Sequence, residues 1–236
     1  MLLKTNDCLI NFIKDMENTA DKDPRERIID ASATLFAQRG FAAVGVREIA
    51  ARAEVNISMI SYYFGGKIGI LKEIIKTYYT ELRARSESSK LDCCDFEASL
   101  RNFIDSTITL MKTKSDLCKV AIFEMPYDLP EILEFKINLM REQQALIKNK
   151  FHSGGTKDID PKLQVIIGPA FFSLIFSNFL LGNVAAAGSK VEFDDDFYKL
   201  YSEIISTLFI SGIHGVAKLT KSKNQNKHKT GNNNEN

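Results

Sequence analysis

At 236 residues, with 44% hydrophobic and 26% charged side chains, the chain can build a genuine core and has room for a small head joined to a larger body. Five prolines and 13 glycines are too few for the closely spaced turns of an all-β chain, which leaves an all-α fold of about nine helices. The net charge of +1 would argue against a nucleic-acid binder if it were evenly spread, but residues 1–23, 24–90, 91–216 and 217–236 carry −2, +4, −5 and +4, a locally basic head on an acidic body.

Other classes find little support. Cys8, Cys93, Cys94 and Cys118 include no CxxC pair and no histidine at metal-ligand spacing, so neither a metal nor another cofactor is expected. The adjacent Cys93 and Cys94 read as ordinary thiols in a reducing cytoplasm. The histidines are His152, His214 and His228, and no catalytic nucleophile–base pair is legible, so the chain is not read as an enzyme. Asp194, Asp195 and Asp196 precede a helix, where they complement its dipole. The opening MLLKTNDCLINFI lacks the continuous apolar core of a signal peptide.

In chain order, residues 1–23 read as a mobile extension. Asp23-Pro24-Arg25-Glu26 supplies an N-cap, a first-turn proline and a first-turn acid. The helix it opens carries Ile28, Leu35 and Phe36 on one face and stops at Gly40. A short helix from Val46, a connection Glu54-Val55-Asn56 and a second short helix, Ile57 to Phe64, follow. From Lys67 a longer helix should bury Ile70, Leu71, Ile74, Ile75 and Tyr78. Further amphipathic stretches lie near 96–111, 117–125, 130–151, 161–187 and 193–219. The expected domains are a helix-turn-helix head at 24–70, a helical body at 71–219, and a lysine- and asparagine-rich tail at 220–236 with too few apolar groups to order itself.

The pair of short helices has the spacing of a helix-turn-helix: small Ala50 at the crossing, Ile49 and Ala53 beside it, Val55 in the turn, and Ile60 plugging the second helix into the first. Asn56 caps that second helix. RIIDASATLFAQRGFAAVGVREIAARAEVNISMISYYFGGKIGIL resembles the DNA-binding region of the TetR family of bacterial regulators, through I-x-x-A-x-x-L-F-x-x-x-G-F, V-x-x-I-A-x-x-A and a recognition helix ending Y-F-x-x-K. The chain departs from the family's habit at Gly45, at Ser61, and at Glu54, where glycine is common and a Cβ disfavours a positive φ. The resemblance implies that Arg47, Tyr62, Tyr63 and Lys67 meet the sugar-phosphate backbone of double-stranded DNA. Ile57, Ser58 and Ser61 then face base edges in the major groove. One of Tyr62 and Tyr63 is expected to pack inward, and Phe64 to join Phe36 and Phe41 in the core.

Residues 163–189 carry no charge and are long enough to cross a bilayer. Asparagines and the Gly168-Pro169 break make them a poor anchor, and an all-round apolar helix is equally one covered on every side. The resemblance implies a homodimer through the helices near 161–187 and 193–219 and no membrane partner. Phe103, Met111, Phe123, Met125, Phe135, Met140, Phe172 and Phe176 are candidates to line a site for an unknown apolar or amphipathic small-molecule effector. The expected function is a cytoplasmic repressor released from an inverted-repeat operator by that effector. An effector-independent regulator or an activator would carry the same head, and a helical apolar-ligand carrier is a remoter reading.

Overall fold

The computed structural model describes residues 22–88, 96–124, 126, 128–151, 161–189 and 191–231. The expectations placed on residues 1–21, Cys93, Cys94, Met125 and His152 lie outside them. Among the described residues there are nine α-helices and no strand: α1 Pro24–Arg39, α2 Val46–Arg52, α3 Ile57–Phe64, α4 Lys67–Ser88, α5 Phe96–Thr113, α6 Ser115–Ile122, α7 Pro130–Phe151, α8 Pro161–Ser189 and α9 Asp195–Gly231.

Local chemistry sets several boundaries. The Asp23 carboxylate accepts the Arg25 amide at 3.2 Å at the start of α1, satisfying one of the free donors of the first turn. Gly40, at φ 80°, ends the helix by returning its amide to the Phe36 carbonyl at 2.8 Å. In α4, Ile70, Leu71, Ile74, Ile75 and Tyr78 are all buried, the face expected from their spacing.

The chain divides into two compact units, Met1–Arg83 with Thr113–Ala145, and Ala84–Lys112 with Leu146–Asn236. This division does not follow the expected boundary at residues 70–71, because α6 is packed against α1. Leu117, Cys118, Val120 and Ala121 of α6 are buried, and Lys119 Nζ donates to the Ala37 carbonyl at 2.5 Å. Lys114 also pairs with Glu81 of α4 at 2.7 Å, and Lys72 of α4 with Glu131 of α7.

In the second unit, the Tyr201 hydroxyl of α9 donates to the Leu174 carbonyl of α8 at 2.7 Å and lies 3.0 Å from that of Ile175. Phe171 sits between Phe103 and Phe209, with ring centroids 5.9 and 4.3 Å away. At Gly182 a Cβ would come within 2.7 Å of the Phe193 ring, so that ring can approach only because the position has no side chain. Val165, Ile166, Leu180, Leu181 and Val184 of α8 and Leu200, Ile204 and Leu208 of α9 are exposed.

The expected disordered tail is corrected over residues 220–231: α9 continues to Gly231. Adding residues to a formed helix avoids the nucleation penalty, and lysine, glutamine and asparagine oppose propagation only weakly. Residues 232–236 lie outside the described ones.

Candidate nucleic-acid interface

The helix-turn-helix is built from α2 and α3. Its lock is apolar: Ile49, Ala50 and Ala53 of the first helix and Ile60 of the second are buried, while Val55 sits half-buried in the turn. Val55 N donates to the Ala50 carbonyl at 3.0 Å and Glu54 N to that of Ala51 at 3.3 Å. Glu54 adopts φ 53°, the sole non-glycine with positive φ among the described residues. The chain therefore takes up the left-handed turn without the glycine that favours it.

The Asn56 side chain caps α3, accepting the Ser58 amide at 2.9 Å and the Ser58 hydroxyl at 2.8 Å. At the other end, Gly65 takes φ 68° and returns its amide to the Ser61 carbonyl. With Ile60 only 1% exposed, the helix cannot rotate about its axis without emptying a core position. Its solvent face consists of Ile57, Ser58, Ser61 and Tyr62, the group expected from sequence with the two tyrosines now distinguished. Tyr62 is 84% exposed. Tyr63 is half-buried and meets Tyr62 edge to face at 5.1 Å.

Arg47 stands exposed in the first turn of α2, adjoining the same motif. Lys67 is placed differently: its ammonium lies 4.3 Å from the Phe41 ring centroid and donates to the Ala42 carbonyl at 3.3 Å. Burial holds its pKa below the ordinary lysine value. Phe41 packs edge to face on buried Phe36 at 5.3 Å. Phe64, half-buried, meets Tyr63 at 6.2 Å and lies under the Arg25 guanidinium at 5.6 Å. Arg25 also pairs with Glu73 at 2.6 Å, joining α1 to α4.

Sequence reasoning missed Lys119 and Arg39, which hold backbone carbonyls on either side of Gly40. Lys119 contacts a residue 82 positions away, a relationship no local pattern carries. Arg39 was legible in principle, since a base in the last turn of a helix complements its dipole.

The candidate effector residues fall in both units. Phe103, Met111, Phe172 and Phe176 belong to the second, where Met111 and Phe176 are buried and Phe172 stacks on Phe176 at 5.7 Å. Phe123, Phe135 and Met140 belong to the first. There Met140 is exposed, and Phe135 lies 5.7 Å from Lys72 Nζ.

Residues 28–74 match the family model described as bacterial regulatory proteins, tetR family. The chain is 44% identical over 55 residues to the "Probable HTH-type transcriptional regulator YttP" of Bacillus subtilis (strain 168), covering 23% of this chain and 27% of that protein. It is 30% identical over 74 residues to the HTH-type transcriptional repressor KstR of Rhodococcus jostii (strain RHA1), covering 31% and 35%. These matches thus span roughly a quarter to a third of the curated relatives' length. Among solved structures, the transcriptional regulator FadR of Bacillus subtilis in complex with stearoyl-CoA superposes with a TM-score of 0.56 at 20% identity, over 79% of this chain and 98% of that one. At that identity the likeness concerns the fold.

Proposed function

Since residues 28–74 match the TetR family of bacterial regulatory proteins, we propose that the chain is a member of that family and acts as a cytoplasmic, homodimeric repressor that releases an inverted-repeat operator when an apolar or amphipathic small molecule binds. The observation that carries the reading is the solvent face of α3. Ile57, Ser58, Ser61 and Tyr62 project from a helix capped by Asn56 and fixed in rotation by Ile60. A helix so held presents a constant set of groups to a major groove.

In this reading Arg47, Tyr62 and Tyr63 meet the sugar-phosphate backbone, while Ile57, Ser58 and Ser61 meet base edges. The serine hydroxyls pair with several bases, and Ile57 suits a thymine methyl. Lys67, at the start of α4, meets the backbone beside them, where its ammonium keeps donors beyond the one given to the Ala42 carbonyl.

The dimer is supported by the row of exposed apolar side chains on α8 and α9. Val184 is 76% exposed in the single chain, and such a row is costly in water unless a second copy covers it. The stretch Val165–Gly182 is long and apolar enough to cross a membrane; a covering subunit accounts for the same composition. For the effector, the stearoyl-CoA held by the Bacillus subtilis FadR suggests a long-chain acyl thioester as first probe. The aromatic interior around Phe103, Phe171, Phe172 and Phe176 offers apolar surface for such a chain.

Mapping genomic fragments retained by the purified protein tests the core of the proposal. A shared inverted repeat is expected, and retention of fragments without internal symmetry would count against it. Titrating stearoyl-CoA into the protein–operator complex tests the effector. Linkage requires operator and ligand to weaken each other by the same factor, so a ligand that binds without altering operator affinity refutes acyl-thioester release.

A further inference from the structure

Helix α9 meets α5 at two points. Lys112, in the last turn of α5, pairs with Asp195 at the start of α9. His214 Nε2 lies 3.5 Å from a carboxylate oxygen of Glu97, in the first turn of α5. The two helices therefore run antiparallel. Since α5 begins at Phe96 and α9 continues to Gly231, α9 extends past the start of its neighbour by about 25 Å, at 1.5 Å per residue.

Charge is segregated along α9. Its acids, Asp195, Asp196 and Glu203, all precede His214, and no other acid occurs before Glu235. The extension instead carries Lys218, Lys221, Lys223, Lys227 and Lys229, with no carboxylate three or four positions away to neutralise any of them. Lysines complement the dipole of a helix C-terminus, but that effect fades within the last turn and so accounts for Lys229 alone. In helical register Lys218, Lys221 and Lys229 stand at i, i+3 and i+11, which is one face, while Lys223 and Lys227 stand on another.

The rest of the extension says what it fits. From Thr220 to Thr230 every residue is lysine, histidine, serine, threonine, asparagine or glutamine. Lysine and the small hydroxyl and amide side chains supply the phosphate and sugar contacts of DNA-binding proteins. A helix lying on a membrane needs an apolar face, and a protein interface centres on aromatic or arginine anchors. The stretch from Thr220 to Thr230 has neither.

We propose that the basic end of α9 is a second nucleic-acid contact, which holds the phosphate backbone of duplex DNA through the face carrying Lys218, Lys221 and Lys229. It adds affinity without base preference, whereas the recognition helix supplies the preference. This goes beyond the DNA-binding reading of the head, since it assigns phosphate contacts to the second unit.

The test is the salt dependence of binding to a mixed-sequence duplex, which counts neutralised phosphates whatever the operator. Wild type, the triple variant Lys218→Gln/Lys221→Gln/Lys229→Gln, the double variant Lys223→Gln/Lys227→Gln, and Arg47→Met are compared as full-length chains, each with its unfolding midpoint and molar mass measured. Glutamine and lysine have similar helix propensities, so the extension keeps its conformation. At about 0.9 per phosphate, the triple variant should reduce the slope of log affinity against log salt by about 2.7 for each arm engaged. The double variant should reduce it by less than about 0.9. Wild type should leave phosphatidylserine-containing vesicles unbound at the same salt concentrations.

A triple variant with the wild-type slope overturns the proposal. If Arg47→Met lowers the slope in that same series, the DNA-binding reading of the head stands without it. A double variant whose slope falls as far as that of the triple overturns the assigned face. Vesicle binding that the triple variant loses, with its duplex slope unchanged, replaces DNA by an anionic bilayer as the partner. A wild-type chain that binds no duplex defeats the head reading and this inference together.

Discussion

The Asn56 side-chain oxygen accepts both the amide and the hydroxyl of Ser58, at 2.9 and 2.8 Å. The cap of the recognition helix and one of its exposed serines therefore form a single hydrogen-bonded unit. Asn56→Ala should cost about 1 kcal/mol in urea unfolding and weaken DNA binding, because the first turn frays where Ile57 and Ser58 are displayed. An unchanged unfolding midpoint would show that the cap contributes nothing.

Glu54 invites the opposite change. Its φ of 53° carries a left-handed penalty of about 1–2 kcal/mol for a residue with a Cβ, against about 0.5–1 kcal/mol for the greater unfolded freedom of glycine. Glu54→Gly should thus stabilise the protein by roughly 0.5–1 kcal/mol. Removing a negative charge from the turn beside the recognition helix should also tighten duplex binding at low salt. A lower melting temperature would show that the glutamate side chain contributes more than the backbone strain costs.

The head was largely legible because its signals are local: a cap at Asp23, a stop at Gly40, small Ala50 ten positions before Ile60, and Asn56 before α3. Even the strain at Glu54 follows from a residue type placed against a turn. Lys67 was legible as a cation but not as an engaged one, since it meets Phe41 and Ala42, some 25 positions earlier in the chain, only through the tertiary approach of the α1–α2 connection to the start of α4. Phe64 was expected to join Phe36 and Phe41, yet it meets Tyr63 and Arg25: it shares the face of Ile60 one turn earlier, but as the last residue of α3, just before the left-handed Gly65, it stays half-buried. The grouping of α6 with the head depends on a pairing of residues far apart in sequence, and periodicity says which face is buried without saying against what.

Tyr78 gives the first unit an alkaline limit. Its phenol is buried, and desolvation, followed by the Cys118 thiol and Tyr79, raises its pKa well above the usual 10. The folded state then keeps a proton that the unfolded chain releases, so stability is intact below about pH 10 and falls as pH rises beyond it. The loss is at most about 1.4 kcal/mol per pH unit for one proton. Tyr78→Phe should flatten this decline, read as unfolding midpoints between neutral and strongly alkaline pH. Parallel curves for the two proteins would mean that other groups control alkaline unfolding.

The exposed row on α8 and α9 predicts how assembly fails. Val184→Glu or Leu208→Glu places a charge where a second subunit is proposed to close, and both positions are open in the single chain. Each variant should shift the molar mass at micromolar concentration towards the monomer while helical content is retained. Binding to an inverted-repeat duplex should fall more than binding to an isolated half-site, since joint engagement is lost. Variants that remain dimeric would place the interface elsewhere.

The final prediction separates reading from positioning on the recognition helix. Ser61 is exposed and lies one residue from the core plug Ile60, so its direction is fixed by a buried contact. Ser61→Ala should leave the salt slope unchanged, because no phosphate partner is removed. It should cost roughly 1 kcal/mol on the preferred operator and relax base preference at one position in each half-site. Arg47→Ala should do the reverse, weakening all duplexes nearly equally and reducing the slope by about 0.9. Measuring both variants on the operator and on a scrambled duplex across a salt series gives four slopes and two specificity ratios. If Ser61→Ala lowers the slope while preserving base preference, the serine faces the backbone, and Ile57 or Ser58 becomes the residue nearest the bases.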